Sequence, residues 1–492
     1  MHLGIDLGTT RTVVAYTDRG NYPVVTFTDP SGDVHEFFPS LLALKGEQIL
    51  TGFQALEAGQ QGAPTLRSLK RHFANAGLDS TIDFGGHQMR VCDLARIYLE
   101  GLMEALHKES SISEQLATES IDNTAIAVPA HAASTQRFIT LDAFRQAGFP
   151  VSAIVNEPSA AGFEYTHRRA SSITAKRNRV LVYDLGGGTF DASRIDVEDL
   201  SHRVLDTVGL NQIGGDDFDI VLADLALNAV GNPELTETQR QELILDAQTA
   251  KEGLAPQSKR IAIEVGETTA IINVNDFYEA ITNMIDETIK AMAGLVEALD
   301  EVAGIYLVGG ASSLPIVARR LRLHYARRVQ RSPYPGASTA IGLAIAADPN
   351  AGYTLSDKVS RGFGVFREWD GGQEAAFDSI FSRDEVLAAN GIEKRRTYRP
   401  VHNIGCLRFV EYGQLVDWQP VGDLVPFATV RFPYDPALQN KSDLSNIDIH
   451  RIGERDTIEE TYRIDANGIV SVRITDLTSG FTKVYEVSRI QG

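Results

Sequence analysis

The chain has 492 residues, 43% of them hydrophobic and 23% charged, which are ordinary proportions for a globular protein of about two to four domains. Its net charge of −19 argues against nucleic acid or an anionic membrane surface as a main partner, although a phosphate site needs positive potential only locally. Cys92 and Cys406 form no metal or redox motif, no apolar run approaches the ~20 residues of a membrane span, and Met1-His2 leads straight into a strand, so a cytoplasmic location is expected.

The first predicted element is the apolar run Leu3-Gly4-Ile5, which delivers Asp6-Leu7-Gly8-Thr9-Thr10 and continues into β-prone Thr12-Val13-Val14-Ala15-Tyr16. This pattern predicts a tight β-hairpin whose glycine brings backbone N–H groups close to an anion. The hydroxyls and the carboxylate stand where phosphate oxygens and a magnesium ion need them. From Asp93 to about Lys108, apolar Leu94, Ile97, Tyr98, Leu102, Ala105 and Leu106 follow helical spacing, with Asp93 as the expected N-cap. Thr124-Ala125-Ile126-Ala127-Val128 is a core strand ended by Pro129. The hairpin pattern then recurs: Val180-Leu181-Val182-Tyr183 enters Asp184-Leu185-Gly186-Gly187-Gly188-Thr189-Phe190-Asp191, and a β-prone stretch follows to Ile195. A single Gly-rich hairpin is usually only a turn. Two matched copies predict a triphosphate clamped from both sides, in a cleft between the halves of a duplicated α/β domain over residues 1–347.

At Asp348-Pro349-Asn350-Ala351-Gly352 the character changes, and helical periodicity is lost. Residues 348–361 are expected to form a linker, and 362–492 an all-β module of short strands. Its runs include Gly364-Val365-Phe366, Cys406 to Val410, Ala428 to Phe432 and Gly468 to Ile474. Asn467-Gly468 between two β runs predicts a hairpin.

These motifs together resemble the 70-kDa heat-shock (Hsp70) chaperone family over nearly the whole chain. The two Asp-Leu-Gly loops look like its phosphate loops, and Val128-Pro129-Ala130 with Gln136-Arg137 like its first connecting segment. Asn156-Glu157-Pro158-Ser159-Ala160-Ala161 is similar to the segment leading to the nucleotide, and Ile213-Gly214-Gly215-Asp216-Asp217 and Leu307-Val308-Gly309-Gly310-Ala311 to the nucleoside-side glycines. Tyr462 to Val470 resembles the closing strands of the peptide-binding sandwich. The resemblance implies an α/β actin-like ATPase domain of duplicated ribonuclease-H-like lobes, followed by a β-sandwich that binds an unfolded or extended peptide. It further implies slow ATP hydrolysis with Mg²⁺, K⁺ as a second cation, and a J-domain co-chaperone. By the same resemblance Asp6, Asp184 and Asp191 surround Mg²⁺, while Thr9, Thr10 and Thr189 contact phosphates or the hydrolytic water. Lys70 is the catalytic lysine steadying the γ-phosphoryl charge, and Glu157 orients the attacking water or a metal-bound water. Gly8, Arg11, Gly186, Gly187, Gly188, Gly214, Gly215, Asp216, Gln248, Lys251, Gly309, Gly310, Ala311 and Ser313 line the nucleotide, and Pro129 and Arg137 are interdomain switch elements.

The adenosine side departs from the family. In Gln248-Thr249-Ala250-Lys251-Glu252-Gly253-Leu254-Ala255 the family pattern is Glu-x-Ala-Lys-Arg-x-Leu-Ser, so a ribose-binding carboxylate is Gln248, an arginine is Glu252 and a serine is Ala255. Ser313 stands where an adenine-stacking arginine is usual. Losing a hydrogen bond and a stacked guanidinium at about 1 kcal/mol each predicts ATP affinity weaker by roughly one to three decades, or a changed base preference. The linker stretch Tyr353-Thr354-Leu355-Ser356-Asp357 carries less apolar surface than the family's leucine run, and no helical lid is recognised after the sandwich. An ATP-dependent chaperone of reduced architecture is therefore the leading expectation. A nucleotide-dependent switch with little turnover is the alternative, and a small-molecule kinase is disfavoured because no sugar-binding constellation accompanies the loops.

Overall fold

The computed structural model describes residues 1–486 except 74–75, 211, 267, 370–373, 384, 389, 442 and 454–456. The chain folds as two compact units. Unit one comprises Met1–His72, Thr81–Ala130 and Ala143–Leu355; unit two comprises Phe73–Ser80, His131–Asp142 and, from Ser356 on, the rest of the described chain.

Unit one contains two sheets with the same pairing scheme. In the first, strand His2–Leu7 pairs antiparallel with Arg11–Tyr16 and parallel with Asn123–Val128, which pairs parallel with Val151–Asn156. In the second, Arg179–Leu185 pairs antiparallel with Phe190–Glu198 and parallel with Val302–Val308, which pairs parallel with Val329–Arg331. A further antiparallel strand pairs with the second arm of each hairpin, Phe38–Pro39 in the first sheet and Ser201–Leu210 in the second. The central strands are covered on both faces, which is why Val302–Val308 is buried at every position and reads as an unbroken apolar run.

Helix Ser338–Ala347, apolar on nearly all sides, is correspondingly buried along its length. It lies against strand His2–Leu7 so closely that a Cβ on Gly4 would stand 2.1 Å from the Ala344 nitrogen, and one on Gly342 would stand 1.8 Å from the Ala160 carbonyl oxygen. These two glycines let the backbone of helix Glu157–Arg169, helix Ser338–Ala347 and the first phosphate-loop strand stack without side chains between them. The helix expected from Asp93 runs Val91–Lys108 and buries Leu94, Tyr98, Leu102, Ala105 and Leu106. Asp93 is in its first turn rather than at the N-cap; Arg90 caps it and pairs with the Asp93 carboxylate at 2.8 Å.

Unit two is built on two antiparallel four-stranded sheets. One is ordered Glu374–Phe381, Gly362–Trp369, Ile404–Val416, Gln419–Pro433, and the other Ile392–Tyr398, Ile458–Ile464, Val470–Asp476, Thr482–Glu486. Phe363, Phe409, Phe427 and Tyr462 meet in the core between them. Asn467-Gly468 lies in the connection between strands Ile458–Ile464 and Val470–Asp476, with Gly468 at φ 75°. Strands Ile404–Val416 and Gln419–Pro433 are longer than the short runs predicted, because bulges at Phe409/Val410 and Tyr412/Gln414 break the alternation that marks a strand in sequence.

A Gly342→Val substitution is expected to destabilise unit one by about 1–3 kcal/mol or more, since backbone rather than a flexible side chain occupies the space. Urea denaturation followed by circular dichroism measures this.

Candidate functional site

The two Asp-Leu-Gly hairpins close in the same way. Gly8 N–H donates to the Arg11 carbonyl at 3.1 Å, and Gly186 N–H donates to the Thr189 carbonyl at 3.0 Å. A Cβ on Gly8 would lie 2.3 Å from that Arg11 oxygen, so only glycine makes the turn. The loops face each other: Thr10 lies against Gly187, and Thr9 Oγ1 lies 2.8 Å from the position a Gly188 Cβ would take. Behind the second loop, helix Gly215–Ala229 directs its first amides at loop carbonyls, with Gly215 N–H on Gly186 O at 2.9 Å and Asp216 N–H on Gly187 O at 2.8 Å. Gly309 adopts φ 83° and donates to Pro335 O at 2.8 Å, and a side chain there would strike Asp184 and Leu185.

Between the loops is a cleft of about 380 Å³. Among the sequence-predicted residues it is lined by Asp6, Gly8, Thr9, Thr10, Arg11, Lys70, Glu157, Asp184, Gly186, Gly187, Thr189, Gly215, Asp216, Gln248, Lys251, Gly309, Gly310, Ala311 and Ser313. Gly188 and Gly214 stand one layer behind, Gly214 packed on Gly187, and Asp191 is buried next to Phe190 on the strand that leaves the loop. The cleft also takes in Glu252, Pro335, Gly336 and Thr339, which were not selected as site residues. The Pro335-Gly336 pair is a turn signal visible in the sequence, but nothing local says that the turn faces a cleft.

The charges in the cleft are concentrated. Lys70 pairs with Glu157, both nearly buried, with Asp6 and Asp184 close enough to act on the same ammonium. Burial alone would lower the Lys70 ammonium, but Glu157, Asp6 and Asp184 outweigh it and hold it above its usual value. Burial raises Asp6, and it raises Asp184 well above the ordinary carboxylate range with help from Glu157, Asp6 and Asp191. Burial also pushes Glu157 up to about 7, reinforced by Asp6 and Asp191 and opposed by Lys70. Among the described residues no group of three or more His, Cys, Asp or Glu side chains is arranged to hold a metal ion by itself. The mutual repulsion of these buried carboxylates is of the kind a bound cation relieves.

The nucleoside-side residues are tied to protein partners. Lys251 pairs with Asp219 at 2.6 Å and donates to Gly215 O at 2.7 Å, so its ammonium holds the glycine turn from behind. Ser313 donates to Gly310 O at 2.6 Å. Arg71, next to Lys70, reaches Gly188 O and Asp217 at 3.3 Å each, and Ser68, at φ 55°, donates to Asp216 at 3.0 Å.

Of the switch residues, Pro129 follows strand Asn123–Val128 in unit one. Arg137, in unit two, is buried on helix Ser134–Gln146 and donates to Asn467 O at 3.2 Å and Ser360 Oγ at 2.5 Å. At the start of that helix the Ser134 amide donates to Glu411 at 3.1 Å, placing a buried carboxylate at a helix N-terminus.

The family model described as Hsp70 protein matches residues 101–361, and the chain belongs to that family, whose members are ATP-binding, ATP-hydrolysing chaperones. It is similar to Chaperone protein HscA of Klebsiella pneumoniae subsp. pneumoniae, at 27% identity over 514 aligned positions covering 99% of this chain and 78% of that relative.

For the nucleotide-free protein, Glu157 makes stability pH-dependent. Its folded-state value of about 7 exceeds the ordinary 4.5, so its contribution is complete below about pH 4.5 and is lost as pH rises through 7. Glu157→Gln is expected to flatten that decline, read as the difference in urea midpoint between about pH 5 and pH 8.

Proposed function

We propose that residues 1–347 form an actin-like domain of two duplicated lobes that clamps ATP with Mg²⁺, that 348–361 connect it, and that 362–492 bind an extended segment of a client polypeptide. The observation that carries this is the pair of like-built glycine hairpins facing each other over a cleft in which the Lys70 ammonium stands among the carboxylates of Asp6, Glu157 and Asp184. The shared strand pairing of the two sheets supports the duplication.

In the nucleotide-bound protein, backbone amides and the hydroxyls of Thr9, Thr10 and Thr189 hold the phosphates. Asp6, Asp184 and Asp191 would hold Mg²⁺, and the cation would supply charge neutralisation for the β- and γ-phosphates. Lys70 is kept charged by its carboxylate neighbours, so its ammonium is available to the γ-phosphoryl oxygens without a change of protonation. Glu157, with a carboxyl near neutrality, is matched to orient and deprotonate the attacking water once Lys70 turns to the phosphate. Potassium is the second cation expected in such a clamp, and a J-domain protein the co-chaperone the family resemblance implies.

Arg137 and Glu411 bind the first turns of helix Ser134–Gln146 to the sandwich through Ser360, Asn467 and Ser134, a polar arrangement suited to carrying a change in client occupancy. The changed adenosine positions and the thin linker stretch favour, as a second possibility, a switch that binds nucleotide and turns over little.

Single-turnover hydrolysis of ATP and of GTP separates the two. Lys70→Ala is expected to reduce the ATP rate about 10²- to 10³-fold, as for removal of one preorganised charge-stabilising group, and an unfolded peptide is expected to accelerate the wild type. Binding without turnover, or turnover indifferent to Lys70→Ala and to peptide, would leave the switch. Arg137→Ala is expected to abolish the peptide stimulation, measured in the same assay.

A further inference from the structure

The mouth of the cleft is spanned by side chains that the hydrolysis chemistry does not use. Arg11, at the start of strand Arg11–Tyr16, pairs with Glu252 at the end of helix Glu237–Glu252, and its guanidinium lies 4.2 Å from the centroid of the Phe37 ring. The other Glu252 oxygen accepts from Gln248 Nε2 at 3.2 Å, and Gln248 Oε1 accepts from Arg67 Nη2 at 2.6 Å. Gln248 and Glu252 are one helical turn apart and therefore share a face. Two arginines from the side of the first sheet thus grip one turn of a helix on the side of the second.

Three of these residues line the cleft: Arg11, Gln248 and Glu252. Gln248 and Glu252 are also positions where the chain departs from the family pattern, and the departures suit each other. An arginine at 252 would face Arg11 with like charge, and a glutamate at 248 would crowd the carboxylate at 252. With glutamine and glutamate, every polar end in the row has a complementary partner. An isolated ion pair with side chains 42% and 36% exposed would matter little. Here the guanidinium is stacked and both carboxylate oxygens are held, so less side-chain freedom is lost when the bridge forms.

We propose that Phe37, Arg11, Glu252, Gln248 and Arg67 form a strap across the nucleotide cleft, and that its opening sets the rate at which nucleotide leaves. This rests on assigning the cleft to a nucleotide.

The test is stopped-flow release of a fluorescent ADP from the full chain, comparing wild type with Arg11→Ala, Glu252→Ala, the double variant and the exchanged pair Arg11→Glu with Glu252→Arg. Each single variant is expected to release about three- to tenfold faster, the double no faster than either single, and the exchanged pair to recover most of the loss, as for two residues acting as one interaction. Raising salt from about 0.05 to 0.5 M should speed release from wild type but not from the single variants. Release rates all within about twofold of wild type, or single effects that multiply in the double variant, would overturn the strap. A wild type that binds no fluorescent ADP would remove the nucleotide assignment itself, an outcome distinct from fast release.

Discussion

The interaction on which the rest of unit one depends is the burial of the Lys70 ammonium among Asp6, Glu157 and Asp184. Each carboxylate arrives at the end of a different element: Asp6 on strand His2–Leu7, Asp184 on strand Arg179–Leu185, Glu157 at the first turn of helix Glu157–Arg169. A charge taken out of water costs several kcal/mol unless it is paired and further hydrogen-bonded. Lys70 therefore has one satisfactory position, the point where the two sheets present their acidic ends. Lose Lys70 and those carboxylates repel across the cleft; lose the carboxylates and the lysine must leave it.

The glycines follow from that constraint. For acidic strand ends to converge, two hairpins and a helix must approach at backbone contact. Gly4 removes the side chain that would hold helix Ser338–Ala347 off the first strand, Gly342 the one that would hold it off helix Glu157–Arg169, and at Gly309 a Cβ would meet Asp184 itself. The close packing in the body of the domain and the geometry of the phosphate loops are thus one requirement, met by absent side chains.

Local features were the legible ones. Each hairpin is specified by half a dozen adjacent residues, so strand, Asp, glycine turn and hydroxyls could be read without knowledge of their surroundings, as could the alternating strands of the sandwich and the helix ending at Lys108. What escaped was set by partners remote in sequence. Arg11 and Glu252 are 241 positions apart, and neither carries a local sign that it faces the other. Glu252 looked like the loss of a base contact because only the position it vacated was visible. Asp93 is not the cap because the helix begins earlier, at Val91, and the long hairpin Ile404–Pro433 was hidden by the bulges that interrupt its period.

The same charge cluster that positions the cleft also leaves it unsatisfied. With a single ammonium against three acidic groups in direct reach, Asp6, Asp184 and Glu157 all bind protons more tightly than free carboxylates, a sign that full ionisation is opposed by burial and by one another. A divalent cation bound together with phosphates, as proposed above, would add the missing positive charge, and the phosphates would offer new acceptors to Lys70 and the loop amides. Ligand binding then stabilises the closed clamp in proportion to the repulsion it removes, because a ligand that binds only the folded state shifts the equilibrium toward it by mass action. A clamp already fully satisfied would have no comparable change of energy on binding and release. In this chain the charge cluster sits in the same cleft as the Arg11–Glu252 pair, so repulsion among Asp6, Asp184 and Glu157 and attraction between Arg11 and Glu252 act on the same space.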